Sequence, residues 1–147
     1  MKQEIHQFCL EKLGKTILQL EKSIQDIQTA ANEETKSSAG DKYETGRAMM
    51  QQEKDKLMAR LETNLTQRNQ LQQLKPDRSS AQAELGSLVQ TNEGYFYLAT
   101  ALGKVVWEGH KCFVISMGSP LAQALMNRKK DDSFSFQGRK IQILDIQ

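Results

Sequence analysis

The chain has 147 residues, a formal net charge of +2 and 38% hydrophobic residues, which suits one ordinary domain or a slender element followed by a small domain. No run of ~18 apolar residues occurs, so the sequence predicts no membrane-spanning helix. The N-terminal residues lack the apolar segment of a secretory signal, and we therefore expect a cytoplasmic protein. The nearly balanced charge argues against binding of duplex nucleic acid through bulk electrostatics.

Cysteines and histidines are too sparse to predict a metal site. Cys9 and Cys112 are the only cysteines, and they do not form a C-x-x-C pattern. We expect two reduced, partly buried thiols. His6 and His110 stand singly in the sequence, and we assign neither of them to a metal or to catalysis.

Residues 1–75 are typical of two long helices, because they contain no proline and their apolar residues recur at spacings of three and four. The first helix carries a heptad seam of Leu10, Leu13, Ile17, Leu20, Ile24, Ile27 and Ala31. A second helix, from about Asp41 to Leu74, carries a weaker seam of Met50, Lys54, Leu57, Leu61, Asn64, Arg68 and Leu71.

A turn-rich segment, residues 32–40, separates these helices. Folding the chain back there brings Leu20 opposite Leu57, and Ile17 opposite Leu61. The sequence therefore predicts an antiparallel helical hairpin with arms of ~45 Å at the usual rise per residue.

Beyond a polar linker at residues 76–80, the apolar pattern changes to the alternation of short strands. A helix should begin at Ser119-Pro120, since serine is a good N-cap and proline fits the first turn. It should present Leu121, Ala124 and Leu125 to the core. The predicted strands are 85–90, 95–98, 111–116, 133–136 and 140–146, with turns at Asn92-Glu93-Gly94 and Gln137-Gly138.

The expected fold class is therefore α+β: a helical hairpin at residues 1–75, a linker at 76–80, and an antiparallel sheet with one short helix at 81–147.

Asp41 and Glu44 are the candidate functional acids, because they lie three residues apart at the start of the second helix. Two carboxylates there can offer oxygen ligands to Mg²⁺. The ordinary alternative is structural, since acidic residues in a first turn complement the helix dipole and Ser38 with Asp41 is similar to a capping box.

Three motifs together resemble the bacterial Gre family of transcript cleavage factors. Gly40-Asp41-x-x-Glu44 is similar to the family's acidic tip, and residues 114–125, which include Ser119-Pro120, are similar to its strand and Ser-Pro helix. The charged turn at 129–134 and the closing strand at 140–146 follow in the family's order and spacing, so the resemblance spans nearly the whole chain.

This resemblance implies a protein that binds RNA polymerase and does no catalysis of its own. The hairpin would enter the secondary channel, where Asp41 and Glu44 would help to hold the second Mg²⁺ with which a backtracked polymerase cleaves its transcript. The C-terminal domain, related in fold to the FK506-binding proteins, would contact the channel rim through Gly118, Ser119 and Pro120. No tightly bound cofactor is implied, and the expected state is a monomer.

Further charged and aromatic residues surround the predicted tip: Lys36, Lys42, Tyr43 and Arg47. The basic side chains could contact phosphates of the transcript 3′ end, and Tyr43 could stack on a base. The alternative is solvated charge and a tyrosine that covers the turn.

Three other functions remain open from the sequence. Thr45-Gly46-Arg47-Ala48 and Gly118 depart from the family's usual residues, which favours a polymerase regulator that occupies the channel without stimulating cleavage. A coiled-coil adaptor, dimerising through the heptads, is a second alternative. A peptidyl-prolyl isomerase is a third, since an aromatic-lined pocket could be built from Tyr95, Tyr97, Trp107, Phe113, Phe134 and Phe136.

Overall fold

The structure is a computed structural model that describes the backbone of residues 1–37 and 41–147 and the side chains of residues 1–33 and 44–147. Helix α1 spans Lys2–Ser37 and helix α2 spans Asp41–Gln72. The described chain forms two compact units: residues Lys12–Arg68, here the helical unit, and residues Met1–Glu11 with Asn69–Gln147, here the sheet unit. Each helix thus contributes residues to both units.

The helical unit follows the heptad pattern. In α1, Leu13, Ile17 and Leu20 are buried, and in α2 every seam position from Met50 to Arg68 is half-buried, including Lys54 and Asn64. The Lys54 ammonium donates a hydrogen bond to the Gln28 side-chain oxygen at 2.6 Å. This pairing joins a residue late in α1 to one early in α2, as antiparallel packing requires, and the predicted contacts of Leu20 with Leu57 and Ile17 with Leu61 remain predictions.

Two features of α1 differ from the simple seam. At its N-terminal end Cys9 is fully buried, whereas the predicted seam residue Leu10 is half-buried. The apolar stripe therefore continues from Leu13 back to Cys9 and Ile5, because residues four apart share one helix face. Gly14 lies in the helix interior, and a Cβ added there would meet nothing within 4 Å.

The sheet unit is built on a sheet which, in the described residues, has six strands in the order β3-β4-β2-β1-β6-β5. Helix α3, Pro120–Leu125, follows the fourth strand. The strands are β1 Leu88–Thr91, β2 Gly94–Leu98, β3 Gly103–Trp107, β4 His110–Ile115, β5 Ser133–Phe136 and β6 Arg139–Ile146.

The α+β class with two long N-terminal helices is confirmed, but three details of the sheet differ from the prediction. Strand β3 was not predicted, and β2 pairs with β4 in parallel, so the sheet is mixed rather than antiparallel. The first strand begins at Leu88 rather than Leu85, because Leu85 is exposed and Gly86 adopts a positive φ of 92°.

Both predicted hairpin turns are confirmed, and β3 and β4 are joined by a third. Gln137 and Gly138 have φ values of 50° and 76° between β5 and β6. Glu108 and Gly109, at 46° and 80°, connect β3 to β4 in the same way. Two successive positive φ angles are the signature of the tight turn that matches strand twist.

Apolar residues cover both faces of the sheet. One face packs against α3 through Val89, Phe96, Leu98, Ile143, Ala122 and Leu125. The buried residues of α3 are thus Ala122 and Leu125, with Leu121 packed beside them, and the predicted Ala124 is only half-buried. The opposite face buries Leu88, Tyr97, Val105, Cys112 and Val114, and Tyr97 contacts His6 of α1 there.

Candidate functional site

The predicted acidic tip lies where the chain passes from α1 to α2. Helix α1 ends at Ser37 and α2 begins at Asp41, so Asp41 and Glu44 both belong to the first turn of α2. Glu44 is exposed. A carboxylate in a first turn is stabilised by the positive end of the helix dipole. Their position in this turn therefore fits both the structural role and the metal-binding role predicted for them.

Of the other predicted tip residues, Arg47 is described and is exposed. It lines a small cleft of ≈ 70 Å³ in the helical unit with residues of both helices, among them Asn32 and Met50. The side chains of Lys36, Asp41, Lys42 and Tyr43 lie outside the described residues. The proposed contacts of these four residues, with metal or with RNA, stay predictions.

The predicted rim residues lie in the sheet unit, at the start of α3. Ser119 is the N-cap, as expected: its hydroxyl accepts a hydrogen bond from the backbone N–H of Ala122 at 3.2 Å, and Pro120 occupies the first helical position. Gly118 and Pro120 are exposed. The cap thus fixes a turn in which the glycine and the proline are exposed to solvent, and the predicted rim contact stays a prediction.

A cluster of buried titratable groups in the sheet unit was not predicted as a site. The imidazole Nδ1 of His6 lies 2.7 Å from the Tyr97 hydroxyl, and both residues are buried. Burial and then the charge of Lys2 lower the pKa of His6. Burial, together with the neighbouring Cys9 and Cys112, raises the pKa of Tyr97.

Neither Cys9 nor Cys112 forms a disulfide, and both are fully buried. Burial raises the pKa of the Cys112 thiol to about 12, and Cys9 adds to the effect. A thiol that stays protonated is a poor nucleophile and a poor metal ligand. We therefore interpret the cluster as packing that fixes α1 on the sheet. The sequence did carry a signal for it, since His6 and Cys9 continue the three-and-four spacing that leads into Leu13.

Four of the six aromatic rings considered for an isomerase pocket make ring or cation contacts within the sheet unit. Tyr97 is buried against His6, Tyr95 meets His110 edge-on at 5.7 Å between ring centroids, and Phe113 stacks on Phe96 at 5.6 Å. The guanidinium of Arg128 lies 4.3 Å from the centre of the Phe134 ring.

Among the described side chains, no three His, Cys, Asp or Glu residues are grouped so that they could hold a metal ion. No helix in the described part of the chain is long and apolar enough to cross a membrane.

Comparison with solved structures finds matches to this chain. The chain is similar to the crystal structure of GreA factor homolog 1 from Thermus thermophilus, with 19% sequence identity over 94% of each chain and a TM-score of 0.38. No protein-family model matches the sequence, and no curated protein matches it.

Proposed function

We propose that this protein is a transcription elongation factor that binds in the secondary channel of RNA polymerase and stimulates cleavage of backtracked transcripts. The observation that carries the proposal is the position of Asp41 and Glu44 in the first turn of α2, directly after the chain reverses between two antiparallel helices. The similarity of Gly40-Asp41-x-x-Glu44 and of the Ser119-Pro120 segment to Gre-family motifs supports the same function.

The donor set fits Mg²⁺ held jointly with another protein. Magnesium prefers six oxygen ligands in an octahedral arrangement, and carboxylates are among the oxygen donors that suit it. Asp41 and Glu44 supply a minority of those oxygens, so they serve as additional ligands beside carboxylates of the polymerase. The metal, when bound, activates water and stabilises negative charge on the transcript phosphate. The two residues of this chain bind and orient that ion.

The rim contact is assigned to Gly118 and Pro120, which are exposed at the start of α3. Ser119 fixes the turn through its cap and is a positioning residue. The acidic tip and this turn have different proposed roles. Changes at the tip should therefore leave polymerase affinity intact, and changes at the turn should leave the acids of the tip intact.

Transcript cleavage on stalled polymerase complexes with a labelled RNA tests the role of the tip. The variant Asp41→Ala with Glu44→Ala should abolish stimulated cleavage and keep polymerase affinity. Its matched control is Glu53→Ala with Glu62→Ala, which removes two exposed carboxylates from the same helix. Equal cleavage by the two variants would refute the metal role.

Polymerase affinity tests the role of the turn. Pro120→Ala should weaken co-purification with polymerase several-fold, whereas Gln123→Ala, at an exposed position of α3, should not. Unchanged affinity in Pro120→Ala would contradict the rim assignment. Binding with no cleavage by the unaltered protein would instead support the second candidate function, a regulator that occupies the channel without stimulating cleavage, which the departures at Thr45-Gly46-Arg47-Ala48 favour.

A further inference from the structure

A cavity of ≈ 230 Å³ lies in the sheet unit beside the first residue of α1. Its cationic lining residues are Lys2, Lys75 and Arg78, against a single carboxylate from Glu84. The uncharged polar residues Gln73, Ser80 and Ser87 complete the polar lining. A water molecule accounts for about 30 Å³ of liquid, so the cavity has room for a phosphate group or a larger phosphorylated molecule.

Lys2 is the group that makes this cavity unusual. Its side chain belongs to a residue only 6% exposed, and its ammonium donates to the backbone carbonyl of Arg78, which is a neutral acceptor. A buried cation without a closely paired anion is costly. Burial lowers the pKa of Lys2, and the opposing influence of Asp77 and Glu84 does not offset it. An anion bound in the cavity would supply the negative charge that offsets the cost of burying the Lys2 ammonium.

Lys75 and Arg78 are free to turn toward a ligand. Lys75 is exposed, and the Arg78 side chain is 74% exposed. The Arg78 guanidinium lies 3.9 Å from the Glu84 carboxylate, which is a long and weak ion pair at the surface. Loss of the ion pair with Glu84 would therefore cost little free energy. In its place, the Arg78 guanidinium can donate two parallel hydrogen bonds to phosphate oxygens.

We propose that this cavity is a binding site for a small phosphate-bearing molecule, with Lys2 as its buried charge and Lys75 and Arg78 as its outer clamp. The site is separate from the tip acids and the Ser119-Pro120 turn, so its existence does not depend on the function proposed above.

Titration calorimetry of the full chain with inorganic pyrophosphate tests the site. We expect one equivalent to bind. Lys75→Gln with Arg78→Gln should weaken binding at least tenfold, because charge-assisted hydrogen bonds are lost. The matched control is Lys104→Gln with Lys111→Gln, which removes two exposed cations that do not line the cavity, and it should bind within twofold of the wild type.

Two further measurements separate the sources of phosphate and test Lys2. A single-stranded oligonucleotide titrated in the same way should compete weakly or not at all with pyrophosphate; binding of the oligonucleotide alone would overturn the small-molecule assignment. The pKa of Lys2, followed by NMR on labelled lysine, should rise when pyrophosphate is bound. Absence of pyrophosphate binding, or equal loss in the clamp and control variants, would refute the site.

Discussion

In the sheet unit, the buried side chain of His6 is a neutral imidazole. Its Nδ1 atom lies 2.7 Å from the hydroxyl of Tyr97, and its pKa is lowered by burial and by Lys2. The pKa of Tyr97 is raised, so its hydroxyl keeps its proton and can donate it to the unprotonated Nδ1. Protonation of His6 would turn Nδ1 into a donor to this hydroxyl and would place a buried positive charge near Lys2.

Stability should therefore fall as the solution becomes acidic. Above pH 6.5, the ordinary histidine value, His6 is neutral in both the folded and the unfolded chain. Below it the unfolded chain takes up the proton first, so the free energy of unfolding decreases as pH falls through the lowered folded pKa, by at most ~1.4 kcal/mol per pH unit. Urea denaturation at pH 7.5 and pH 5 measures this difference.

The variant His6→Gln should show a smaller difference between the two pH values, since it removes the titrating group. His110→Gln, which changes an exposed histidine, is the control and should keep the wild-type difference. The pKa values of Tyr97 and Cys112 are shifted upward, so neither group titrates in this range. Equal pH dependence in the wild type and His6→Gln would contradict the assignment.

At the scale of the secondary-structure elements, two glycines should respond to alanine in opposite ways. Gly14→Ala should stabilise the protein by ~1 kcal/mol, because alanine favours a helix interior and the added Cβ meets nothing within 4 Å. Gly94→Ala should destabilise it, because Gly94 has a φ of 122°, a backbone conformation that residues with a side chain rarely adopt. Thermal unfolding of both variants measures the two changes in stability. Stabilisation by both substitutions would show that the φ of Gly94 does not require glycine.

The cap of α3 gives a second prediction for an element. Ser119→Ala removes the hydrogen bond accepted from the Ala122 N–H and should lower stability by ~1 kcal/mol. Ser119→Asp should retain most of that stability, since aspartate is an equally good N-cap. Chemical denaturation distinguishes them, and equal loss in both variants would mean that the hydroxyl contributes through packing rather than through the cap.

The helices and the cap were predictable because their signals are local. Heptad spacing fixed the face that α1 and α2 bury, and Ser119-Pro120 fixed the start of α3. Strand β3 was missed although Glu108-Gly109 supplies a turn signal, because three of its five residues are exposed and the alternation is weak. The parallel pairing of β2 with β4 could not be predicted, since the pattern of a short strand does not indicate its direction.

At the scale of the whole molecule, the sheet unit contains residues from two segments that are far apart in the sequence. The predicted boundaries at residues 76 and 81 remain predictions, whereas the contacts of the structure group Met1–Glu11 and Asn69–Gln147 together. Ile5, Cys9 and Leu71 are each fully buried in this unit. Sequence patterns could not reveal that grouping, because it depends on contacts between residues more than sixty positions apart.

A rearranged chain tests this grouping. The backbone N–H of Lys2 donates to the Gln147 side chain at 3.3 Å, so the two chain ends are adjacent. Residues 69–147 joined by a short glycine–serine linker to residues 1–11 should therefore fold cooperatively. Residues 81–147 alone should be largely unfolded, because loss of Ile5 and Leu71 removes roughly 3–6 kcal/mol of apolar burial, comparable to the stability of a small domain.

Circular dichroism and urea denaturation of the two fragments provide the measurement. Equal stability of the fragments would show that residues 81–147 are self-sufficient.

The last strand of the chain lies inside the sheet rather than at its edge, with β6 hydrogen-bonded to β1 on one side and to β5 on the other. During synthesis the complete sheet can therefore form only after β6 has been made. Residues 12–68 belong to a compact unit of their own and can fold within microseconds of leaving the ribosome. At 5–20 residues per second, the later residues take several seconds more. Ile5 and Cys9, which are made before all of those residues, stay exposed to solvent or to chaperones throughout that interval.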